Sequence, residues 1–144
     1  MSKSILIIYT GGTVGMIDSG NGTLLPFDIK NLLTSIPELS KFQFPIESIS
    51  VFEKPLDSSN IGPDEWKVIG KAVADNYEKY SGFVVLHGSD TMAYTASALS
   101  FMFDGLTKPV IFTGSQLPIG ILRSDAKENI LTSIELASMQ NEKG

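Results

Sequence analysis

Apolar positions recur along the chain in two alternating rhythms. Residues 4 to 9 hold the continuous, β-branched run Ile5-Leu6-Ile7-Ile8-Tyr9, the pattern of a strand covered on both faces. Residues 14 to 26 place turn formers (Ser19-Gly20-Asn21-Gly22) between short apolar arms, which predicts a mobile hairpin able to act as a flap. Asp28 then caps a short helix through Leu33 that Pro37 ends, and the alternation from Ile46 to Phe52 predicts a second strand. Gly62-Pro63-Asp64-Glu65 opens a helix whose apolar face is Trp66, Ile69, Val73 and Tyr77, and Ser81-Gly82 closes that segment. Phe83-Val84-Val85-Leu86 is the third strand. The helix beginning near Thr91 carries the stripe Met92, Ala96, Leu99 and Phe103, with Ala93 and Ala98 small enough for close approach to a sheet and Gly105 at its end. Pro109 to Phe112 predicts a fourth strand, and Leu122, Ala126, Ile130, Ile134 and Ala137 mark a last helix.

Strands alternating with helices imply an α/β domain with a doubly wound, mainly parallel sheet in three α/β/α layers. Residues 1 to 144 read as one domain. Sheets of this kind usually carry five or six strands, whereas here the sequence stops after a helix at Gln140-Asn141-Glu142-Lys143-Gly144. The pattern therefore predicts an N-terminal fragment of a larger protein, with an outer strand left as an open, apolar edge.

Composition narrows the function classes. A hydrophobic content of 42% supports one sizeable core and argues against disorder. The net charge of -5, with only 11 Lys and Arg and no basic run, argues against nucleic acid as a partner. The absence of cysteine excludes thiolate catalysis and Cys-based zinc sites, and one His without clustered carboxylates gives no metal-ligand spacing. The short apolar run after Met1-Ser2-Lys3 has neither the length of a membrane span nor a cleavage region behind it, so the cytoplasm is the expected location.

Two turns stand out as candidate chemistry, because each delivers hydroxyls directly behind a strand. Thr10-Gly11-Gly12-Thr13 follows the first strand and His87-Gly88-Ser89-Asp90-Thr91 the third. In an open parallel sheet such strand ends line one crevice. Thr13 behind two glycines fits either an ordinary strand-end turn or a nucleophile flanked by exposed N–H groups. Asp90 fits either a helix cap or a grip for a substrate ammonium, with Ser89 as a second hydroxyl. Asp57-Ser58-Ser59 fits either a cap for the helix at residue 63 or a carboxylate-binding loop. His87, at the end of a buried strand and without an acidic partner, reads as a structural, hydrogen-bonded histidine. The glycines match neither the dinucleotide fingerprint nor a P-loop.

Together these segments resemble the L-asparaginases, and specifically the cytoplasmic, type I branch. Tyr9-Thr10-Gly11-Gly12-Thr13 is similar to the family's first signature and His87 to Ala96 to its second. Leu56-Asp57-Ser58-Ser59-Asn60 is similar to its substrate loop, and Gly114 to Pro118 and Leu122 to Asp125 continue the likeness. The resemblance implies hydrolysis of L-asparagine to L-aspartate and ammonia, without a cofactor, by a two-domain homo-oligomer (dimer or tetramer). It gives Thr13 the role of nucleophile, Asp90 the grip on the α-amino group, Ser58 the α-carboxylate, and Ser89 the second catalytic hydroxyl; Asp57 and Ser59 join the substrate loop. Three departures accompany it. Ser89 stands where the family usually has threonine, the flap holds no tyrosine beside the nucleophile, and the family's triad lysine and small C-terminal domain fall beyond residue 144. The fragment alone is therefore expected to be impaired. Two other uses of such a domain are the asparaginase-like subunit of a tRNA-dependent amidotransferase, disfavoured by a start so close to the first strand, and a non-catalytic amino-acid-binding module.

Overall fold

The computed structural model describes residues 3–18, 20–21, 23–26 and 28–139. In chain order the elements are β1 (Ile5–Tyr9), β2 (Met16–Asp18), β3 (Leu24–Pro26), α1 (Ile29–Thr34), β4 (Ile46–Ser50), α2 (Pro63–Asn76), β5 (Gly82–Leu86), α3 (Met92–Met102), β6 (Val110–Thr113) and α4 (Ala126–Ser138). Four strands form an all-parallel sheet in the order β4-β1-β5-β6. The two continuous apolar runs occupy its centre, and every residue of β1 and β5 is buried. The chain steps outward from β1 to β4 and then back across to β5, so the winding reverses between β1 and β5. In such sheets the crevice for a ligand opens at the carboxyl ends of the strands flanking that reversal.

Strand alternation divides the core into two layers. Ile5, Ile7, Val84 and Leu86 point to one face, where they meet Ile29 of α1 and Ala126, Ile130, Ile134 and Ala137 of α4. Leu6, Ile8, Phe83 and Val85 point to the other and meet Ile69 and Val73 of α2 and Leu99 of α3. Each such full burial stabilises by about 1.5–3 kcal/mol, so the central strands are the most firmly held part of the domain. β6 is an edge strand with Val110, Ile111 and Phe112 only half-buried, in keeping with the predicted open edge.

The hairpin forms as an antiparallel pair, Met16 to Asp18 against Leu24 to Pro26. Its turn residues Ser19 and Gly22 lie outside the described residues, as does the terminal segment 140–144. Asp28 does cap α1, its Oδ1 accepting from the Lys30 N–H at 3.2 Å.

Several local expectations are corrected. Leu122 is not on the last helix's buried stripe: it is 90% exposed, because Arg123 takes φ 67° and breaks the helical path before α4 begins. Ala93 faces solvent, and the inward position on that turn of α3 belongs to Thr95, fully buried with its hydroxyl hydrogen-bonded. Pro37 starts a 3-10 turn through Lys41 rather than simply ending the helix before it. The second strand stops at Ser50, two residues early.

Candidate active site

The turns leaving β1 and β5 are joined by a third segment, which the backbone of β1 recruits. The Val51 N–H donates to the Tyr9 carbonyl (3.2 Å), Leu56 N–H to Thr10 (2.9 Å), and Gly12 N–H back to Leu56 (3.1 Å), so residues 51 to 56 run alongside the end of β1 and deliver Asp57-Ser58. The Thr91 hydroxyl then donates to the Ser58 carbonyl at 2.7 Å, tying this loop to the turn after β5. Gly12 holds φ 83°, and a Cβ there would lie 2.6 Å from Gly88 Cα. One at Gly88 would lie 2.6 Å from Ser58 Cβ. The three turns thus meet with no side chain between the glycines, which the double glycine makes possible.

Between them lies a cleft of about 90 Å³ lined by Gly12, Thr13, Met16, Asp57, Ser58, Gly88, Ser89 and Asp90. Thr13, Asp57, Ser58, Ser89 and Asp90, from three separate stretches of sequence, come together there. Ser59 does not line it: its N–H and hydroxyl both donate to Asp57 Oδ1, at 2.9 and 2.8 Å, so it shapes the loop. Those two bonds, the N–H first, hold the Asp57 carboxyl below the usual carboxylate range. They cap the short turn Ser58–Asn60, and α2 is capped instead by Gly62 with Glu65, whose carboxylate accepts from the Gly62 N–H at 2.8 Å. Met16 escaped sequence reasoning; its position at the root of the hairpin was the available signal. Two wider grooves, of about 450 and 410 Å³, lie along the 33–46 segment and α4, away from the strand ends.

Hydrogen bonding separates the residues that build the cleft from those that face it. Thr10, buried, donates its hydroxyl to the Leu86 carbonyl at 2.8 Å. The buried Tyr9 hydroxyl donates to the Gly15 carbonyl at 3.3 Å, and burial pushes its pKa up to about 12, so it is no base for the neighbouring turn. His87 is fully buried and bonded through both ring nitrogens, as the structural reading expects. Among the described residues, by contrast, no hydrogen bond engages the hydroxyls of Thr13, Ser58 or Ser89 or the carboxylate of Asp90, although Ser58 is only 3% exposed. Nor do the N–H groups of Thr13 and Ser89 find an acceptor there. Asp90 does not cap α3, which has no side-chain cap. Ser89 and Asp90 are exposed and Thr13 is half-buried, so their polar groups are open to a ligand that enters the cleft. A convergent set left unpaired can hold a small ligand bearing an ammonium, a carboxylate and a polarised carbonyl.

The next turn along the sheet joins the two further segments that continue the family likeness, Gly114 to Pro118 and Leu122 to Asp125. Asp125 accepts from the Gln116 N–H (3.0 Å), the Leu117 N–H (3.1 Å) and the Asn129 amide (3.1 Å), fixing the loop after β6 to the start of α4. These bonds, that of Gln116 first, hold its carboxyl below the usual range. Among the described residues no group of three or more His, Cys, Asp or Glu is placed to hold a metal ion, and no helix is long and apolar enough to cross a membrane.

A family profile described as "Asparaginase, N-terminal" matches residues 4–144. L-asparaginase 1 of Escherichia coli (strain K12) is 44% identical over 137 residues, which are 94% of this chain and 40% of that protein. The crystal structure of L-asparaginase I from Vibrio cholerae superposes with a TM-score of 0.85 at 46% identity, covering 96% of this chain and 42% of the other. A glutamyl-tRNA(Gln) amidotransferase subunit from Thermoplasma volcanium is 40% identical over 94% of this chain and 33% of its own length. The chain thus spans about two fifths of the length of the asparaginases it matches. With a parallel sheet, a strand-end cleft and a profile match along almost its whole length, the chain belongs to the asparaginase family and corresponds to that family's N-terminal domain.

Proposed function

We propose that the protein hydrolyses L-asparagine to L-aspartate and ammonia, with Thr13 as nucleophile. The observation that carries the reading is the set of unpaired groups converging on one cleft, each matched to a part of that substrate. Asp90 takes the α-ammonium through charge-assisted hydrogen bonds and Ser58 the α-carboxylate. Held so, the side-chain amide lies over Thr13. The Thr13 oxygen adds to the amide carbon, and the Thr13 and Ser89 N–H groups receive the negative charge that develops on the amide oxygen. Protonated nitrogen leaves as ammonia, and water then cleaves the Thr13 ester, with Ser89 as the second hydroxyl of the site. Deprotonating Thr13 needs a base, and none among the described residues bonds to its hydroxyl; we assign that proton to groups outside this domain. On the same family likeness we place the protein in the cytoplasm as a homo-oligomer, a dimer or a tetramer.

The likeness to an amidotransferase component supports a second reading, in which the ammonia passes to a partner enzyme. Ammonia release from L-asparagine, with L-glutamine as competitor and no tRNA present, separates the two. In the protein as expressed from its gene, Thr13→Ala is expected to lower kcat about 10³-fold or more while fold and substrate binding persist. Near-normal turnover by that variant removes Thr13 from the chemistry.

A further inference from the structure

The hydrogen bonds behind the second turn form a chain with one possible direction. The Trp66 indole N–H of α2 lies 3.1 Å from the Thr95 hydroxyl of α3, that hydroxyl lies 2.9 Å from His87 Nε2, and His87 Nδ1 lies 2.7 Å from the Gly88 carbonyl. An indole N–H can only donate and a carbonyl can only accept. The proton on the ring must therefore sit on Nδ1, Nε2 must accept from Thr95, and Thr95 must accept from Trp66. Burial, which disfavours the charged ring, keeps His87 in this neutral form, and no charged side chain contributes to that shift.

The carbonyl at the end of the chain belongs to the Gly88–Ser89 peptide. No cis peptide occurs among the described residues, so this unit is planar and trans, with its C=O and N–H pointing in opposite directions. A carbonyl drawn inward to His87 turns the Ser89 N–H outward, and that N–H has no acceptor among the described residues while Gly88 and Ser89 line the cleft. We propose that Trp66, Thr95 and His87 are positioning residues, a relay that fixes the Gly88–Ser89 peptide so that the Ser89 N–H faces the cleft as an oxyanion donor. The oxyanion rests on the asparagine-hydrolysing reading; the relay itself does not.

Ring ¹⁵N spectra of the intact protein, with the His87 signals assigned by their loss in His87→Gln, read this ring directly. The expected result is a protonated Nδ1 and bare Nε2 at pH 8, a state that persists to lower pH than in free histidine. An Nε2–H tautomer, or a ring that protonates like free histidine, overturns the relay. Thr95→Val, which keeps the shape and deletes the hydroxyl, should shift the Ser89 amide resonance and the ring nitrogens, and Thr95→Ser should restore both. On L-asparagine, Thr95→Val is expected to lower kcat about 10-fold or more with KM changed less than about twofold, since a displaced donor weakens the transition state rather than substrate binding. Loss of melting temperature with the Ser89 resonance and kcat unchanged makes Thr95 merely structural and ends the proposal. Should Thr95→Val fail to fold, Trp66→Phe removes only the first donor and must move the same resonances in the same direction. If the unsubstituted protein releases no ammonia from asparagine, the functional reading fails, while the ring tautomer and the Ser89 amide still decide the relay.

Discussion

The carboxylate of Asp90 stands on an exposed turn with no hydrogen bond from the described residues, and its neighbour Ser89 is equally unengaged. A side chain that stabilises nothing locally can be removed at little cost to the fold. Asp90→Ala is accordingly expected to leave the melting temperature within about 2 °C, a surface-substitution effect, while raising KM for asparagine and lowering kcat together. Unchanged kinetics for that variant would remove Asp90 from the substrate grip. His87 makes the opposite kind of contribution. Its folded pKa is depressed by burial, so between the folded and the ordinary value of about 6.5 the unfolded chain binds the additional proton. That stability is complete above the unfolded pKa and is lost as pH falls toward the folded one. Denaturation midpoints should decline from pH 7 to pH 5, before most carboxylates titrate, and His87→Gln should flatten that slope. At this scale the sequence displayed Thr13, Ser58, Ser89 and Asp90 clearly, since hydroxyls and acids on glycine turns behind strands are visible as strings. Thr95 was hidden, because a polar residue inside a helical stripe reads as exposed until the partner for its hydroxyl is known.

Elements place the cleft through backbone approach rather than through side chains. Gly12 combines φ 83° with a Cβ position 2.6 Å from Gly88, whereas Gly105 has φ 67° with open space around it. Gly105→Ala should cost about 1 kcal/mol, the left-handed strain alone. Gly12→Ala should cost at least about 2 kcal/mol more, because it also separates the two turns, and turnover should fall with it. Equal losses in urea denaturation would mean that the turns are not packed as described. The continuous strands β1 and β5 were legible because burial on both faces forbids polar interruptions. The seam between Gly12, Gly88 and Ser58 was not, since it depends on which distant glycine comes to face which. Leu122 failed for a local reason: its spacing continues the stripe of α4, but Arg123 at φ 67° keeps the helix from starting before Ala126.

At the scale of the whole molecule, the chain aligns with about 40% of the length of its asparaginase relatives, and no base among the described residues reaches Thr13. Residues 1 to 144 alone are therefore expected to hydrolyse asparagine at least about 10³-fold more slowly than a two-domain relative, the scale of losing a group that acts as part of a catalytic unit. Ammonia release at a comparable rate would show that this domain supplies its own base. The sheet order has another consequence, for the time course of synthesis. Ile5 pairs with Ile46 on one side and with Gly82 on the other, so the most apolar strand is made first and fully partnered only after β5 exists. At the usual 5–20 residues per second, β1 waits about 4–15 s for that partner. Through that interval the strand has at most β4 beside it and leaves apolar surface uncovered, and the cleft, which needs the turn after β5, cannot take shape until the wait is over.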